Sequence, residues 1–210
     1  MKNLLAPAFA LVLLGSAPAA RATLDFNLAT KHGPAQTPDP ENRYITDGDN
    51  HIYLRIPRDW KAVSSAERLQ FLPPQTSSEV QISQVRGVQA LPLDPAGLAA
   101  LRKDAQARLP EGAKNIQAAG EVSDLLPVFG WKSFEVTFQY EFYGQPMQRS
   151  LLYVNMVPGR VVQVSVTAAV ADFEAVHERA RKLMFGWFEP KRDLSPEAAR
   201  QYEAGEYTGS

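Results

Sequence analysis

The chain contains no cysteine among its 210 residues. This absence excludes disulfide scaffolds, thiol nucleophiles, cysteine-ligated zinc and iron–sulfur clusters. An excess of positive charge is also missing, because 22 lysine and arginine residues stand against 23 aspartate and glutamate residues, giving a net charge of −1. We therefore expect no nucleic-acid partner. With 45% hydrophobic and 21% charged residues, the composition is that of a folded protein rather than a disordered one.

The sequence also lacks the short motifs that accompany common catalytic and cofactor sites. It has no Gly-x-Ser-x-Gly elbow, no Ser-x-x-Lys pair, no glycine-rich phosphate loop and no dinucleotide fingerprint. The histidines His32, His51 and His177 are far apart in the chain, so only the fold could assemble a metal site or a catalytic triad from them. We interpret His177 as a packed or half-exposed helix residue. No catalytic residue, metal or cofactor is expected.

Two acidic patterns do not meet the requirements of the sites they resemble. Residues 47–50 begin like a calcium loop, but the positions that need an oxygen ligand and a bidentate glutamate hold His51 and Arg58. We interpret this segment as a turn before a strand. Glu135 and Glu141 lie on one face of a predicted strand, and six residues of extended chain separate them by about 20 Å. That distance is too long for a glycosidase pair.

The first 22 residues have the pattern of a secretory signal peptide. Lys2 precedes an apolar run from Leu4 to Leu14, and Ala20, Arg21 and Ala22 form a small-x-small cleavage sequence. The run is too short to span a bilayer. An N-terminal amphipathic or anchoring helix is the rival interpretation, which the proline within the run disfavours. We expect cleavage near Ala22 and a mature protein that is periplasmic or secreted.

The remaining chain is predicted to form one domain. Residues 23–43 are polar, contain three prolines and show no sustained period, which predicts an extended leader. The domain is expected from residue 44 to residue 188. Residues 189–210 are interpreted as a polar C-terminal tail with at most one short helix.

Hydrophobic periodicity predicts strands and two helices within this domain. Alternating apolar residues predict strands from His51 to Pro57, from Arg68 to Leu72 and from Glu79 to Val88. A first helix is predicted to begin at Asp94-Pro95 and to end before Pro110. A final helix is predicted to begin with Asp172 as its cap, and its apolar positions are Phe173, Val176, Ala180, Leu183 and Trp187.

The strongest pattern, from residue 131 to residue 166, predicts three consecutive antiparallel strands. Five apolar residues from Phe134 to Phe142 alternate with polar ones, which predicts a strand with one apolar face. With a turn at residues 144–146, Phe134 is expected to face Met156, and Glu141 is expected to meet Arg149. A loop at residues 158–160 then pairs Val154 with Val164 in the third strand.

The polar face of this sheet is the predicted site of interaction. Tyrosine, arginine and amide groups on a rigid sheet are typical of contact surfaces. The candidate residues are Tyr53, Arg55, Glu135, Gln139, Arg149 and Tyr153. The alternative interpretation is that a helix covers part of this face and that Leu151 and Tyr153 pack against it.

Three short segments carry a resemblance to a known family. They are Ile56-Pro57-Arg58-Asp59-Trp60, Gly130-Trp131 at the start of the long strand, and Asp172-Phe173-Glu174 at the start of the last helix. With the order of predicted elements, residues 44–188 resemble the Mog1/PsbP-like superfamily, which includes exported bacterial PsbP-like and DcrB-like proteins. The resemblance implies an α+β fold, an α/β/α sandwich with a central, mostly antiparallel sheet flanked by helices. Runs of strands and helices favour the same class.

The resemblance also implies a non-enzymatic accessory or binding role, although no ligand-binding residue of the family matches a position here. Because fold does not transfer function, several hypotheses stay open. We expect an exported, non-catalytic accessory or protein-binding module of the bacterial cell envelope, whose partner is an envelope protein or a membrane-associated complex. The alternatives are a small-ligand carrier or periplasmic hydrolase with a pocket between the sheet and the first helix, and a structural envelope protein that self-associates.

Overall fold

The computed structural model describes residues 24–32, 38–47, 50–75, 77–85, 90–123, 131–157 and 160–184. These residues form two sheets, one of three strands in the order β1-β2-β3 and one of seven in the order β4-β5-β6-β10-β9-β8-β7, whose paired strands are all antiparallel. The elements are β1 (Asp25–His32), β2 (Pro38–Asp47), β3 (Asn50–Arg55), β4 (Lys61–Ser64), β5 (Arg68–Leu72), β6 (Glu79–Val85), α1 (Pro95–Ala107), β7 (Lys114–Ser123), β8 (Ser133–Phe142), β9 (Gln145–Val157), β10 (Arg160–Ala169) and α2 (Val170–Met184).

The seven-stranded sheet is covered on both faces. On one face, α1 packs against β8 and β9, and the buried residues there include Phe134, Leu151 and Tyr153. On the other face, α2 and the three-stranded sheet share one apolar core with the central sheet. The predicted α+β sandwich with a central antiparallel sheet flanked by helices is therefore confirmed.

The helices follow the sequence closely. Asp94 caps α1, because its carboxylate accepts a hydrogen bond from the backbone N–H of Gly97 at 2.9 Å, and Pro95 occupies the first turn, where its missing N–H has no cost. In α2, residues at three- and four-residue spacing form the buried stripe. Asp172 lies in the first turn of α2 rather than at its cap. The stripe comprises Phe173, Val176, Ala180 and Leu183; the predicted fifth member, Trp187, lies outside the described residues.

The predicted boundary of the domain at residue 44 is wrong. Residues 25–32 and 38–47 form strands β1 and β2, although residues 23–43 were expected to be a polar leader. Leu24 and Phe26 are only 2% and 1% exposed and belong to the core shared with α2. The backbone N–H of Leu24 also donates to Oε1 of Gln84 at 3.1 Å, which fixes the start of β1 to β6. Residues 24–32 and 38–43 therefore belong to the folded domain.

The predicted register of the β8–β9 hairpin is also wrong, by three residues. Phe134 pairs with Tyr153 rather than Met156, and Glu141 pairs with Pro146 rather than Arg149. The turn consists of Tyr143 and Gly144 alone, both with positive φ, as the two-residue type I′ hairpin requires. Because the slip is odd, the apolar residues of β8 lie beside Tyr153 and Leu151, not beside Leu152 and Val154.

The third strand is confirmed, with a smaller error in register. Val164 pairs with Leu152, and Val162 pairs with Val154, two residues from the predicted pairing. An even slip preserves the face, so Leu152, Val154 and Val164 still share one core. The predicted strands 68–72 and 79–88 correspond to β5 and β6, while β4 and β7 were not predicted.

Candidate functional site

The six residues predicted to form one contact face belong to two sheets, and those of the central sheet are divided between its two faces. Two lie in β3 of the smaller sheet, where Arg55 is exposed and the side chain of Tyr53 is outside the described part of the chain. The alternation of side chains along β8 and β9 separates the other four. Glu135 and Gln139 are directed to the α2 side of the central sheet, and Arg149 and Tyr153 are directed to the α1 side. The structure does not bring the six together.

Tyr153 anchors α1 to the sheet, as the alternative interpretation of a helix-covered face expects. Its side chain is fully buried, and its hydroxyl donates a hydrogen bond to Oδ2 of Asp104 at 2.8 Å. The same oxygen accepts a hydrogen bond from Nε of Arg108 at 2.8 Å. Burial, together with the Asp104 carboxylate, raises the pKa of Tyr153 far above its ordinary range. Tyr153 is therefore a neutral donor that holds the C-terminal half of α1.

Arg149 lies beside this network, at the end of α1. Its Nη1 donates to the backbone carbonyl of Arg108, the C-cap residue of α1, at 2.8 Å. Burial lowers the pKa of Arg149, although nearby groups including Tyr140 and Glu79 act in the opposite direction. Among the described residues, no salt bridge engages this guanidinium, and its buried Nε has no hydrogen-bond partner. The guanidinium of Arg149 is therefore a positive group at the end of α1 that no carboxylate among the described residues pairs with.

An open groove of about 390 Å³ adjoins Arg149 at the hairpin end of the sheet. This volume lies within the range of small-molecule sites, about 300–1,000 Å³. Its walls combine aromatic rings, a thioether, hydroxyl groups, one arginine and one glutamate. The lining residues are Ser77, Glu79, Pro110, Tyr140, Phe142, Tyr143, Gln145, Met147, Arg149 and Thr167.

Two residues of the groove have a backbone conformation that is rare for their type. Tyr143 has φ of 49° and Ser77 has φ of 63°, and the left-handed conformation costs an L-residue about 1–2 kcal/mol. The Tyr143 side chain is 91% exposed, and its ring lies 4.4 Å from that of Phe142 between centroids. Residues held in such conformations are concentrated at ligand-binding and active sites. The hairpin tip is therefore a functional candidate.

A second cluster of polar residues lies beneath α2. Oε1 of the buried Glu135 is 2.5 Å from Nε2 of His177, and Oε2 accepts a hydrogen bond from Nη2 of Arg181 at 3.0 Å. Burial alone would raise the pKa of Glu135, but the hydrogen bonds and charges of His177 and Arg181 outweigh burial and place that pKa below its ordinary value. The cluster ties α2 to β8.

Ser150 lines the same cavity as Glu135 and His177, so the residue types of a hydrolase triad are present. The cavity has a volume of about 10 Å³, which holds one water molecule at most. Ser150 is only 1% exposed. A substrate has no access to its hydroxyl, so this cluster does not support the hydrolase alternative. His177 is a packed helix residue, as its sequence position predicts.

The described part of the chain contains no group of three or more His, Asp or Glu side chains placed to hold a metal ion. None of the helices formed by those residues is long and apolar enough to cross a membrane.

Sequence reasoning identified Arg149 but missed most of the groove. The turn was predicted at residues 144–146, which leaves Tyr143 out of it, because Tyr-Gly is a weaker turn signal than Asn-Gly or Asp-Gly. Glu79 and Ser77 come from the approach to β6, more than 60 positions before the hairpin, and only the order of strands brings them to it. The signal that was available was Gly144, which permits a two-residue turn with positive φ.

Comparisons with known proteins identify similar folds. No protein-family model matches the sequence, and no curated protein is similar to it. The solved structures that match include LpqN of Mycobacterium tuberculosis, described as involved in cell envelope biogenesis (16% identity, 75% of this chain and 87% of that one, TM-score 0.44). Another is PsbP (CyanoP) of the cyanobacterium Synechocystis (11% identity, 83% and 98%, TM-score 0.42). A third is a protein of unknown function from Pseudomonas aeruginosa (15% identity, 74% and 97%, TM-score 0.41).

A PsbP protein is among the structures that the chain matches. At these identities the similarity concerns the fold and identifies no binding residue.

Proposed function

We propose that the chain is an exported, non-catalytic accessory module that binds another protein of the bacterial cell envelope through the tip of the β8–β9 hairpin. The observation that carries the proposal is Tyr143, which is 91% exposed at a φ of 49° in a two-residue turn. Nothing in the fold of the free chain requires a tyrosine there. Asparagine or glycine would form the same turn at a lower cost.

A large exposed ring at the tip of a rigid hairpin is suited to protein recognition. Tyrosine is enriched among the residues that dominate binding energy at interfaces, because it buries a large apolar surface with few rotatable bonds. Phe142 and Gln145 flank the tip, and Phe142 supports the Tyr143 ring at 4.4 Å between centroids. The partner surface is expected to be an apolar or aromatic pocket that receives the Tyr143 ring.

The location of the partner follows from the start of the sequence. The positive residue, the apolar run and the small-x-small sequence of residues 1–22 support export. The absence of cysteine also removes the acylation site that a lipoprotein anchor would need. We therefore expect the partner in the periplasm or, if the protein is secreted, outside the cell.

The test is capture of the tagged, exported protein after crosslinking in cells, with Tyr143→Asn compared with Val122→Ala. Val122 is also exposed, at 47%, but it lies on the edge strand β7. The expected result is one envelope protein that is enriched with the native chain and with Val122→Ala and is lost with Tyr143→Asn. Equal capture by both variants would contradict the hairpin tip as the contact.

A further inference from the structure

Three residues that line the groove form a row across neighbouring strands. Thr167 of β10 pairs with Arg149 of β9 on one side and with Glu79 of β6 on the other. Paired residues project from the same face of a sheet, and three adjacent strands span about 10 Å. A positive group, a hydroxyl and a negative group therefore stand side by side on the floor of one groove.

The charges of Arg149 and Glu79 are near each other but do not form a salt bridge. Among the described residues, neither Arg149 nor Glu79 forms a salt bridge within 4.0 Å. The Glu79 charge nevertheless acts on Arg149, and it favours the charged guanidinium. Since Nη1 of Arg149 is bound to the carbonyl of Arg108, the side chain is held in place. The gap between the two charges is therefore available to a ligand.

From this row we infer that the groove binds a small zwitterion with an apolar side chain, of which an apolar α-amino acid is the simplest example. The guanidinium of Arg149 pairs with the ligand carboxylate, for which its planar fork is suited. The carboxylate of Glu79 pairs with the ligand ammonium group. The Thr167 hydroxyl lies between them and can donate to the carboxylate or accept from the ammonium group.

The remaining walls of the groove suit the rest of such a ligand. Met147, Phe142 and the Tyr140 ring supply apolar surface beside the charged row, and a thioether adapts its shape to different side chains. The volume of about 390 Å³ exceeds that of one amino acid and also has room for a short peptide end. This site adds a small-ligand function to the proposed protein-binding role and does not depend on it.

Glu79 also determines what the groove rejects. A simple carboxylate or a phosphate would meet the Glu79 charge without a compensating positive group, and an amine without a carboxylate would leave Arg149 unpaired. Either ligand would leave one charge of the groove without the partner that a zwitterion supplies. The arrangement therefore selects molecules that carry both charges.

The first test is calorimetry and thermal unfolding of the full exported chain with L-phenylalanine, L-leucine and L-methionine. The matched probes are phenylalanine amide, which lacks the carboxylate, and 3-phenylpropanoate, which lacks the ammonium group. The expected result is saturable binding of at least one of the amino acids and a rise in melting temperature. Phenylalanine amide and 3-phenylpropanoate are each expected to bind at least about tenfold more weakly than L-phenylalanine.

The variants Glu79→Gln and Arg149→Gln assign the two charges, with Glu174→Gln and Arg55→Gln as exposed controls on other surfaces. Glu79→Gln should reduce amino-acid affinity at least about tenfold and should reduce the discrimination against 3-phenylpropanoate. Arg149→Gln can also loosen α1, whereas Glu79→Gln tests ligand binding alone. The Glu79 carboxylate makes no salt bridge with the other described residues.

Absence of saturable binding for all three amino acids would overturn the inference. So would affinity that Glu79→Gln leaves unchanged, or equal binding of 3-phenylpropanoate. Glu79→Gln separates this site from the proposed function, since it should weaken amino-acid binding and leave capture of a protein partner through the hairpin tip intact.

Discussion

Tyr143 and Glu135 are the two residues whose local energetics bear most directly on function and folding. Tyr143 is held in a left-handed conformation with its ring in solvent, whereas Glu135 is buried and contacts His177 and Arg181 of α2. The first costs stability in the free chain, and the second stabilises the packing of α2. Each can be tested by a substitution that changes few other contacts.

Replacing Tyr143 with asparagine is expected to stabilise the free protein. Asparagine followed by Gly144 is the preferred pair for a two-residue turn with positive φ. Relief of a backbone cost of about 1–2 kcal/mol exceeds the loss of an exposed ring contact with Phe142, so the free energy of unfolding should rise by roughly 0.5 kcal/mol. Urea unfolding measures this difference. A loss of stability would show that the tyrosine serves the fold rather than a partner.

Glu135→Gln is expected to destabilise the protein at neutral pH and to reduce its sensitivity to acid. The folded-state pKa of Glu135 is below its ordinary value of 4.5, so the carboxylate stabilises the fold above pH 4.5, and this contribution is lost as the pH falls through the folded-state pKa. Because the Arg181 side chain is 36% exposed and solvent can screen its charge, the expected loss is about 1–3 kcal/mol.

The measurement is unfolding free energy from pH 7 down to pH 3, with Glu178→Gln as the control. Glu178 pairs with Lys182 on the exposed side of α2, where screening by solvent makes the pair weak. The native chain and the control should lose stability together towards acid pH, while the Glu135→Gln curve should be flatter. If the unfolding free energy fell equally with pH in the native chain and in both variants, Glu135 would not be the source of the acid sensitivity.

At the scale of the elements, the sequence predicts which helices and strands exist better than it predicts how the strands pair. Both helices and strands β3, β5, β6, β8, β9 and β10 follow from periodicity and capping residues. The register between β8 and β9 does not follow from these signals, because both faces of these strands are buried. Residues 133–136 and 151–154 are all less than 9% exposed, so an apolar pattern fits more than one pairing. The turn at Tyr143 and Gly144 decides the register, and its signal was weak.

The candidate site was less predictable than the fold for a related reason. Arg149 was identified from its place in a polar alternation, but Glu79 reaches it only through the order β6-β10-β9. The row Arg149, Thr167 and Glu79 requires two strand registers to be correct at once. Composition and spacing within one segment carry no information about such a row.

Tyr153→Phe tests the attachment of α1 to the sheet. The substitution removes the hydroxyl that donates to Asp104 at 2.8 Å and leaves the ring in place. Because Asp104 keeps its hydrogen bond from Arg108, the expected loss is about 1–2 kcal/mol. Hydrogen exchange should accelerate in α1 more than in α2. Tyr140→Phe is the control, since the Tyr140 hydroxyl makes no hydrogen bond with the described residues, and it should change stability little. Equal effects of the two substitutions would contradict the anchoring role.

At the scale of the whole molecule, residues 24–32 and 38–47 are part of the fold. Phe26 of β1 is 1% exposed within the core shared with α2. Hydrophobic periodicity did not predict β1, because residues 24–28 contain few apolar residues and are followed by a polar segment with three prolines. Besides the adjacent strand β2, β1 contacts β4 and β5, which lie about 30 or more residues further along the chain.

Phe26→Ala is therefore expected to lower the free energy of unfolding by about 3–5 kcal/mol, as truncation of a buried aromatic residue does. Asn27→Ala, next to it and exposed, should have little effect. Chemical denaturation of the two variants checks this. A Phe26→Ala protein as stable as the native chain would mean that residues 23–43 are a leader outside the core.

The most direct test of the proposed function places a photo-crosslinking amino acid at position 143 in the exported protein and irradiates living cells. Position 63 is the control, because Val63 is 53% exposed on the opposite edge strand of the central sheet. Binding through the hairpin tip predicts one envelope protein crosslinked at position 143 and absent at position 63. Binding through the hairpin tip would be contradicted if the same protein were crosslinked equally at positions 143 and 63. It would also be contradicted if no protein were crosslinked at position 143.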